Sequence, residues 1–245
     1  TDPALETLGK LIIAGGTFDN AGQLAVNELT VQKGATLKTS IIHPNYVAFK
    51  TLTLENGSTL NINKLNGKTT AENDTLTFKE GTINLNGGVL QVAGEAFSGN
   101  VETVAGVTAN VNADYTFDQI NNNGTIVIGE KNPATLTVSK KLTTKATDSV
   151  DSGITVNDFS TLSVTGAAID WKVAEGGAIT SNLKKIVNNG TIEITGTKAV
   201  VFKDLGALNI FSTTVNNNGS TGLVKFADGV SIKETEGLLN DKGQL

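Results

Sequence analysis

Three segments of the chain repeat one pattern, in which a leucine lies five residues before a glycine and an apolar residue follows it. The residues after the glycine, Leu37, Leu60 and Ile83, are spaced by 23 residues. The segments are LTVQKGATLKT (residues 29–39), LTLENGSTLNI (52–62) and LTFKEGTINLN (76–86). Because a unit of this size cannot bury its own apolar face, such a repeat is typical of units that stack on their neighbours.

Alternation of apolar and polar residues predicts that each unit is made of β-strands with an inner and an outer face. The residues predicted to point inward are Leu29, Val31, Leu37, Leu52, Leu54, Leu60, Ile62, Leu76, Phe78, Ile83 and Leu85. Two outer threonine rows are predicted, Thr30 with Thr53 and Thr77, and Thr36 with Thr59 and Thr82. The predicted fold class is all-β, a parallel β-helix (β-solenoid) with coils of about 23 residues. About ten such coils would form a rod roughly 50 Å long.

Later segments carry the same phrase at a drifting spacing, namely NNNGTIVIG (121–129), ITVNDFSTLSVTG (154–166) and VNNGTIEITG (187–196). The 43 residues from Ile83 to Ile126 are close to two coils, and the 66 from Ile126 to Ile192 are close to three. Leu162 fits neither interval evenly, so we expect coils of variable length with inserted loops.

The predicted domain organisation follows the extent of the repeat. Residues 1–23 are an N-terminal cap or linker, 24–232 the β-solenoid, and 233–245 a truncated next coil or linker. Asp2 and Pro3 suit the start of a short helical turn that would cover the open strand edge, and a frayed terminus is the alternative. Since the chain contains no methionine, we expect it to be a piece of a longer protein.

The turn glycines decide between two architectures. Asn-Gly is a strong hairpin signal, and a pair of antiparallel sandwiches is the rival to the solenoid. Mirrored hairpins do not explain the same phrase recurring at a fixed spacing. The residue before the glycine is Lys, Glu or Asn, so the glycine itself is predicted to make the bend at positive φ. These glycines are Gly34, Gly57, Gly81, Gly124 and Gly190.

The phrases LTVQKGATL and NNGTIEI resemble the right-handed β-helix passengers of bacterial autotransporters, and equally the repeats of large bacterial adhesins and surface-layer proteins. The resemblance covers most of residues 24–232. It implies an extracellular protein on a bacterial cell surface, used for adhesion, display or coat assembly. The partners implied are a host-cell or cell-surface glycan or protein, or further copies of the chain.

Composition argues against several other classes. A net charge of -5 provides no basic field for nucleic acid. No apolar run approaches the length of a membrane span, so this segment is not expected to insert. Cysteine and arginine are both absent, which removes disulfides, thiolate metal sites and the usual clamp for phosphate or carboxylate. We expect no cofactor and no metal.

An enzyme is the alternative function, because glycosidases use paired carboxylates. The candidates are Asp114 with Asp118, and Asp148 with Asp151 and Asp158. A polysaccharide-processing β-helix of the phage-tailspike kind would place such acids in a groove. Solvated loop charges are the simpler interpretation, and no catalytic residue is assigned.

Other candidates are single residues. His43 is the one histidine and has no neighbouring carboxylate. Trp171 is the best candidate for a carbohydrate or partner contact, and a buried filler between coils is the alternative. Sequons at Asn56, Asn123, Asn189 and Asn218 read as by-products of the corner sequence. The sequence therefore predicts a non-enzymatic, rigid stalk that presents loops for adhesion or coat assembly.

Overall fold

The chain is all-β in every part that the structure describes, and its main sheets are parallel. The computed structural model describes residues 8–39, 47–63, 75–146, 153–165, 168–173, 186–188, 190–195, 200–201, 223–226 and 232–233. These residues contain 23 strands and no helix. The predicted all-β class with parallel strands is confirmed. The predicted domain boundaries stay predictions, and the proposed helical turn falls on residues 1–7, outside the described residues.

Sheet 1 consists of eight parallel strands that span residues 8–188. In spatial order these are β1 (Leu8–Ile13), β3 (Leu24–Val31), β5 (Val47–Glu55), β8 (Thr82–Asn86), β12 (Thr108–Val111), β14 (Thr125–Ile128), β16 (Gly153–Val156) and β19 (Ile186–Asn188). Every neighbour in this order is separated in sequence by a segment long enough for the parallel crossover that such pairing requires.

Sheet 2 accompanies only the first part of sheet 1. Its strands are β2 (Gly16–Asn20), β4 (Ala35–Thr39), β6 (Thr59–Ile62), β9 (Val89–Val92) and β10 (Glu95–Ala96). The last of these, β10, is antiparallel to β9, whereas the other pairs are parallel. The sheet therefore ends in a tight hairpin that covers its edge.

Sheet 3 begins with β7 (Thr75–Phe78), which precedes the last two strands of sheet 2 in the chain. Its other strands are β11 (Asn100–Thr103), β13 (Tyr115–Asn122), β15 (Thr135–Ala146), β17 (Thr161–Thr165), β20 (Thr191–Thr195) and β22 (Leu223–Phe226). A further strand, β18 (Ala168–Val173), pairs with the second half of β15. The short strands β21 (Val200–Val201) and β23 (Ile232–Lys233) form a separate parallel pair.

The first two repeat units stack as the sequence predicted. Leu29 lies opposite Leu52, its equivalent in the next unit, and Thr30 lies opposite Thr53. Thr36 lies opposite Thr59 in the same way. The prediction for the third unit was wrong. Ile83 stacks on Leu52, across a longer interval than the repeat, and not on Leu60.

The physical reason is that the third unit changes sheets. Its strand β7 opens sheet 3, so Leu76 lies opposite Val101 and Thr77 opposite Glu102. The strand that follows its glycine continues sheet 1, so Thr82 lies opposite Thr51. Both predicted threonine rows therefore stop after two members. The segment that extends sheet 2 is GGVLQV (87–92), which lacks the repeat phrase.

The same change of sheets explains why the later repeat phrases are unevenly spaced in the sequence. Ile83 and Ile126 are two strands apart in sheet 1, with Ala109 between them, in agreement with the predicted double interval. Leu162 and Ile192 belong to sheet 3, where they pair with each other. Intervals in sheet 1 are shortest between β12 and β14 and longest between β16 and β19.

One apolar core lines all three main sheets. Leu52 of sheet 1, Leu60 of sheet 2 and Phe78 of sheet 3 are members of a single buried cluster, which extends from Ile13 to Leu162. Every residue predicted to point inward belongs to it. Strict alternation thus assigned the faces correctly even where the stacking partner was wrong.

Candidate functional site

The predicted turn glycines occupy more than one corner. Gly34 and Gly57 lie between sheets 1 and 2, where the Gly34 N–H donates to the Gly57 carbonyl at 2.9 Å. Gly87 continues this column, since its carbonyl accepts from the Gly57 N–H at 3.4 Å. Gly81 and Gly124 lie where the chain passes from sheet 3 to sheet 1.

Three of the glycines are needed for their backbone conformation. The φ angles of Gly34, Gly57 and Gly81 are 80°, 77° and 71°, in the region that residues with a Cβ avoid. Around Gly34, no atom lies within 4 Å of the position that a Cβ would take. At that corner the conformation alone selects glycine.

Gly124 and Gly190 differ, because neither lies in the left-handed region. A Cβ on Gly124 would clash with the carbonyl oxygen of Val107 and would lie 2.7 Å from that of Val104. Gly190, between sheets 1 and 3, is crowded in the same way by backbone oxygens of the preceding segment. These corners select glycine because neighbouring chain segments approach closely.

Amide side chains form two hydrogen-bonded columns on the side of sheet 1 opposite the apolar core, where Asn84, Asn110 and Asn112 are nevertheless buried. Asn110 Nδ2 donates to Asn84 Oδ1 at 2.8 Å, and Asn84 Nδ2 donates to Thr53 Oγ1 at 3.1 Å. Beside them, Asn112 Nδ2 donates to Asn86 Oδ1 at 2.9 Å. The columns were not predicted, although the sequences INLN and ANVN, which pair in register, carry their signal.

A carboxylate organises the outer face of sheet 3. Glu102 Oε1 accepts from Asn121 Nδ2 at 3.0 Å and from Asn123 Nδ2 at 3.5 Å. Its Oε2 accepts from Thr77 Oγ1 at 3.4 Å. We call these four residues the Glu102 cluster. Nothing in the sequence marked Glu102, because only strand register brings its partners together.

The predicted acids bond to neighbouring chain segments. Asp114 Oδ1 accepts from the Thr135 N–H at 2.7 Å. Asp118 Oδ2 accepts from Lys140 Nζ at 2.7 Å, and its Oδ1 accepts from Ser139 Oγ at 2.8 Å. The Lys140 ammonium and then the Ser139 hydroxyl hold the pKa of Asp118 below its usual value, because both donate to its charged form.

The second predicted group of acids, Asp148, Asp151 and Asp158, is not seen as a cluster among the described residues. Asp158 lies in the turn between β16 and β17. Asp148 and Asp151 lie outside the described residues, as does His43. Trp171 lies in β18 opposite Thr144, and its side chain is outside the description.

Tyr115 forms hydrogen bonds with the two glycines that precede β9, the last parallel strand of sheet 2. Its hydroxyl accepts from the Gly87 N–H at 3.2 Å and donates to the Gly88 carbonyl at 2.7 Å. Its ring stacks on Phe117 at 6.1 Å, and Phe117 in turn contacts Phe97 at 6.5 Å. Burial raises the pKa of Tyr115 to about 12, partly offset by the hydrogen bond from Gly87.

One exposed aromatic escaped the sequence analysis. Phe159 is 92% exposed and has a φ of 61°, which is rare for a residue with a Cβ. It lies in the turn that precedes β17. A residue that is both strained and exposed suits contact with another molecule better than it suits folding.

No group of His, Cys, Asp and Glu residues suited to a metal ion occurs in the described part of the chain. The same part has no helix with the length and apolarity needed to cross a membrane. Comparisons with protein families, curated proteins and solved structures found no match. The site must therefore be interpreted from its own geometry.

Proposed function

We propose that the three main sheets are the faces of one right-handed parallel β-helix. The observation that carries the proposal is sheet 1, whose parallel pairing continues from β1 to β19 while one core serves all three sheets. Sheets 2 and 3 would then be the second faces of successive parts of one rod. A continuous parallel ladder of this kind resists bending, because every coil is bonded to both neighbours.

We further propose that this rod is a non-enzymatic structural or adhesive segment of a secreted bacterial surface protein. The partly exposed Glu102 cluster gives the outer face of sheet 3 a group of hydrogen-bonded polar side chains. Such a face suits contact with hydroxyl-rich glycans, with a polar protein surface or with further copies of the chain. Phe159 adds one apolar anchor of the type that dominates protein contacts.

The bonds of the acids favour this function over polysaccharide hydrolysis. A general acid needs a raised pKa, so that it is protonated at its working pH. Asp118 has the opposite environment, since Lys140 and Ser139 stabilise its charged form. Asp114 serves as an acceptor for the backbone of the next strand of sheet 3.

Small-angle X-ray scattering of the purified chain tests the β-helix. We expect an elongated particle with a cross-section of one coil and a length of roughly 50 Å, at about 4.8 Å per coil for about ten coils. Light scattering measured on the same samples separates a rod from a chain of associated copies. A compact, nearly spherical monomer would refute the proposal.

Binding and turnover assays test the surface function. The purified chain is probed on an array of bacterial and host glycans and by concentration-dependent light scattering, with Phe159→Ser and Glu102→Gln as matched variants. We expect binding or self-association that one of these variants weakens, and no cleavage of the arrayed polysaccharides. Hydrolysis that disappears in Asp118→Asn would support the enzyme instead.

A further inference from the structure

The corners of this fold contain a chemically labile dipeptide. Asn-Gly occurs six times in the chain, at Asn56, Asn66, Asn86, Asn123, Asn189 and Asn218. An asparagine before glycine is prone to deamidation, because no Cβ hinders attack by the glycine nitrogen on the asparagine side chain. The structure describes three of these pairs completely, those that begin at Asn56, Asn86 and Asn123.

The attacking nitrogen is restrained to different degrees at the three pairs. The Gly124 N–H donates to both Thr103 Oγ1 and Asn122 Oδ1, each at 3.2 Å. The Gly87 N–H donates to the Tyr115 hydroxyl at 3.2 Å. Among the described residues, the Gly57 N–H makes one long hydrogen bond, of 3.4 Å to the Gly87 carbonyl. Because the nitrogen must lose its proton to attack, a good hydrogen bond from that N–H slows the reaction.

The side-chain amides of the three asparagines differ as well. Asn123 donates to Glu102, and Asn86 accepts from Asn112 at 2.9 Å. The Asn56 side chain is exposed and makes no hydrogen bond within the described residues. It packs against Gly87, but no hydrogen bond among the described residues holds its Cγ away from the following nitrogen.

We propose that Asn56 is a site of spontaneous deamidation in the folded protein, and that the fold protects Asn86 and Asn123. The Gly57 nitrogen gives up its proton to hydroxide and attacks Asn56 Cγ, forming a new N–C bond. The Cγ–Nδ2 bond breaks, and the nitrogen leaves as ammonia with a proton from water. Water then opens the resulting succinimide ring at either carbonyl, giving aspartate or isoaspartate.

The product alters the corner between β5 and β6. A new carboxylate appears beside Glu55 and close to the Lys33 side chain, which lies against Gly57. Isoaspartate also adds one atom to the backbone before Gly57, the residue that precedes the fully buried Ser58. The reaction thus converts a regular corner of the N-terminal repeat units into a charged and longer one.

Peptide mapping by mass spectrometry tests the proposal on the folded chain, incubated in mildly alkaline buffer at 37 °C. We expect Asn56 to convert about fivefold faster than Asn86 or Asn123, the effect of about one hydrogen bond. In urea-unfolded chain, the rates at the three sites should converge, because all three asparagines precede glycine. Equal rates in the folded protein, or faster conversion at Asn86 or Asn123, would overturn the proposal.

Two variants test the protective bonds separately. Tyr115→Phe removes the acceptor of the Gly87 N–H, and Thr103→Val removes one acceptor of the Gly124 N–H. Circular dichroism first establishes that each variant is folded. The first should accelerate conversion at Asn86 severalfold and the second at Asn123, while Asn56→Gln should abolish conversion at residue 56. Unchanged rates at Asn86 and Asn123 in both folded variants would contradict the mechanism.

Discussion

The repeat units of residues 24–62 and those of residues 100–165 build their corners by different means. In the first region the strands pair at one constant interval, and the corners are left-handed glycines. In the second region the intervals vary, and buried polar side chains serve the corners beside two further left-handed glycines, Gly106 and Gly129. Thr103, Asn122 and Ser160 are each at most 1% exposed and bond to backbone groups of adjacent strands or turns.

The difference shows how a stacked fold tolerates irregular units. When successive corners have the same shape, the backbone of each corner can hydrogen-bond to the backbone of the next, as the Gly34 N–H does to the Gly57 carbonyl. When the length of a unit changes, some backbone groups lose that partner, and burial without one is costly. Side-chain hydroxyls and amides then complete the bonding.

The largest expected effect separates the two kinds of glycine. Gly124→Ala should lower the free energy of unfolding by about 3 kcal/mol, because the new methyl group would meet two backbone oxygens that cannot move easily. Gly34→Ala should cost only about 1 kcal/mol, since its site is open and only the conformation is strained. Urea denaturation of both variants measures the difference. Equal losses would remove the distinction.

The second prediction concerns the buried amide of the irregular region. Asn122→Leu should cost about 2 to 3 kcal/mol, because it leaves the Gly153 carbonyl and the Thr103 hydroxyl without their partner. Gln119→Leu, on the partly exposed face of the same strand, is the matched control and should cost less than about 1 kcal/mol. A smaller loss for Asn122→Leu than for the control would contradict the role of the buried bonds.

The third prediction tests the junction between the regions. Tyr115→Phe should cost about 1 to 2 kcal/mol at neutral pH, because two backbone groups lose the hydroxyl. The raised pKa also has a consequence at high pH. Stability from the neutral phenol is complete below about pH 10 and is lost as the pH rises toward about 12. Denaturation at a series of alkaline pH values should show a smaller loss in Tyr115→Phe than in the unaltered chain.

The smallest expected effect concerns the surface ion pair of the irregular region. Asp118→Asn should cost less than about 1 kcal/mol, because the side chains of Lys140 and Asp118 are 59% and 35% exposed and solvent screens the pair. The folded pKa of Asp118 lies below its ordinary value. Its contribution is therefore present above about pH 4 and is lost as the pH falls through the folded pKa. Salt should weaken the effect, as it should for Asp19→Asn at the pair that Lys38 forms in the regular region.

The inner face of the fold could be predicted because alternation is a local property. Leu52, Leu60 and Phe78 were each assigned inward from their own neighbours in sequence. Stacking partners are not local, and the third unit shows the limit. Its strand β7 carries the same phrase as the strands before the glycine in the first two units. The strand after its glycine, β8, nevertheless pairs with β5 and places Ile83 opposite Leu52, because this unit contains an additional strand. The Glu102 cluster was still harder to predict from the sequence, since strand register alone brings Glu102 next to its partners.

The all-β class, the parallel pairing, the inward residues and the stacking of the first two units could all be predicted from the order of residues. Period and alternation are properties of neighbouring residues, so the sequence displays them directly. The change from sheet 2 to sheet 3, the several corners served by the turn glycines and the hydrogen bonds of Tyr115 emerge only from the folded chain. These features depend on contacts between residues far apart in sequence, where small differences in the length of a unit choose which groups meet.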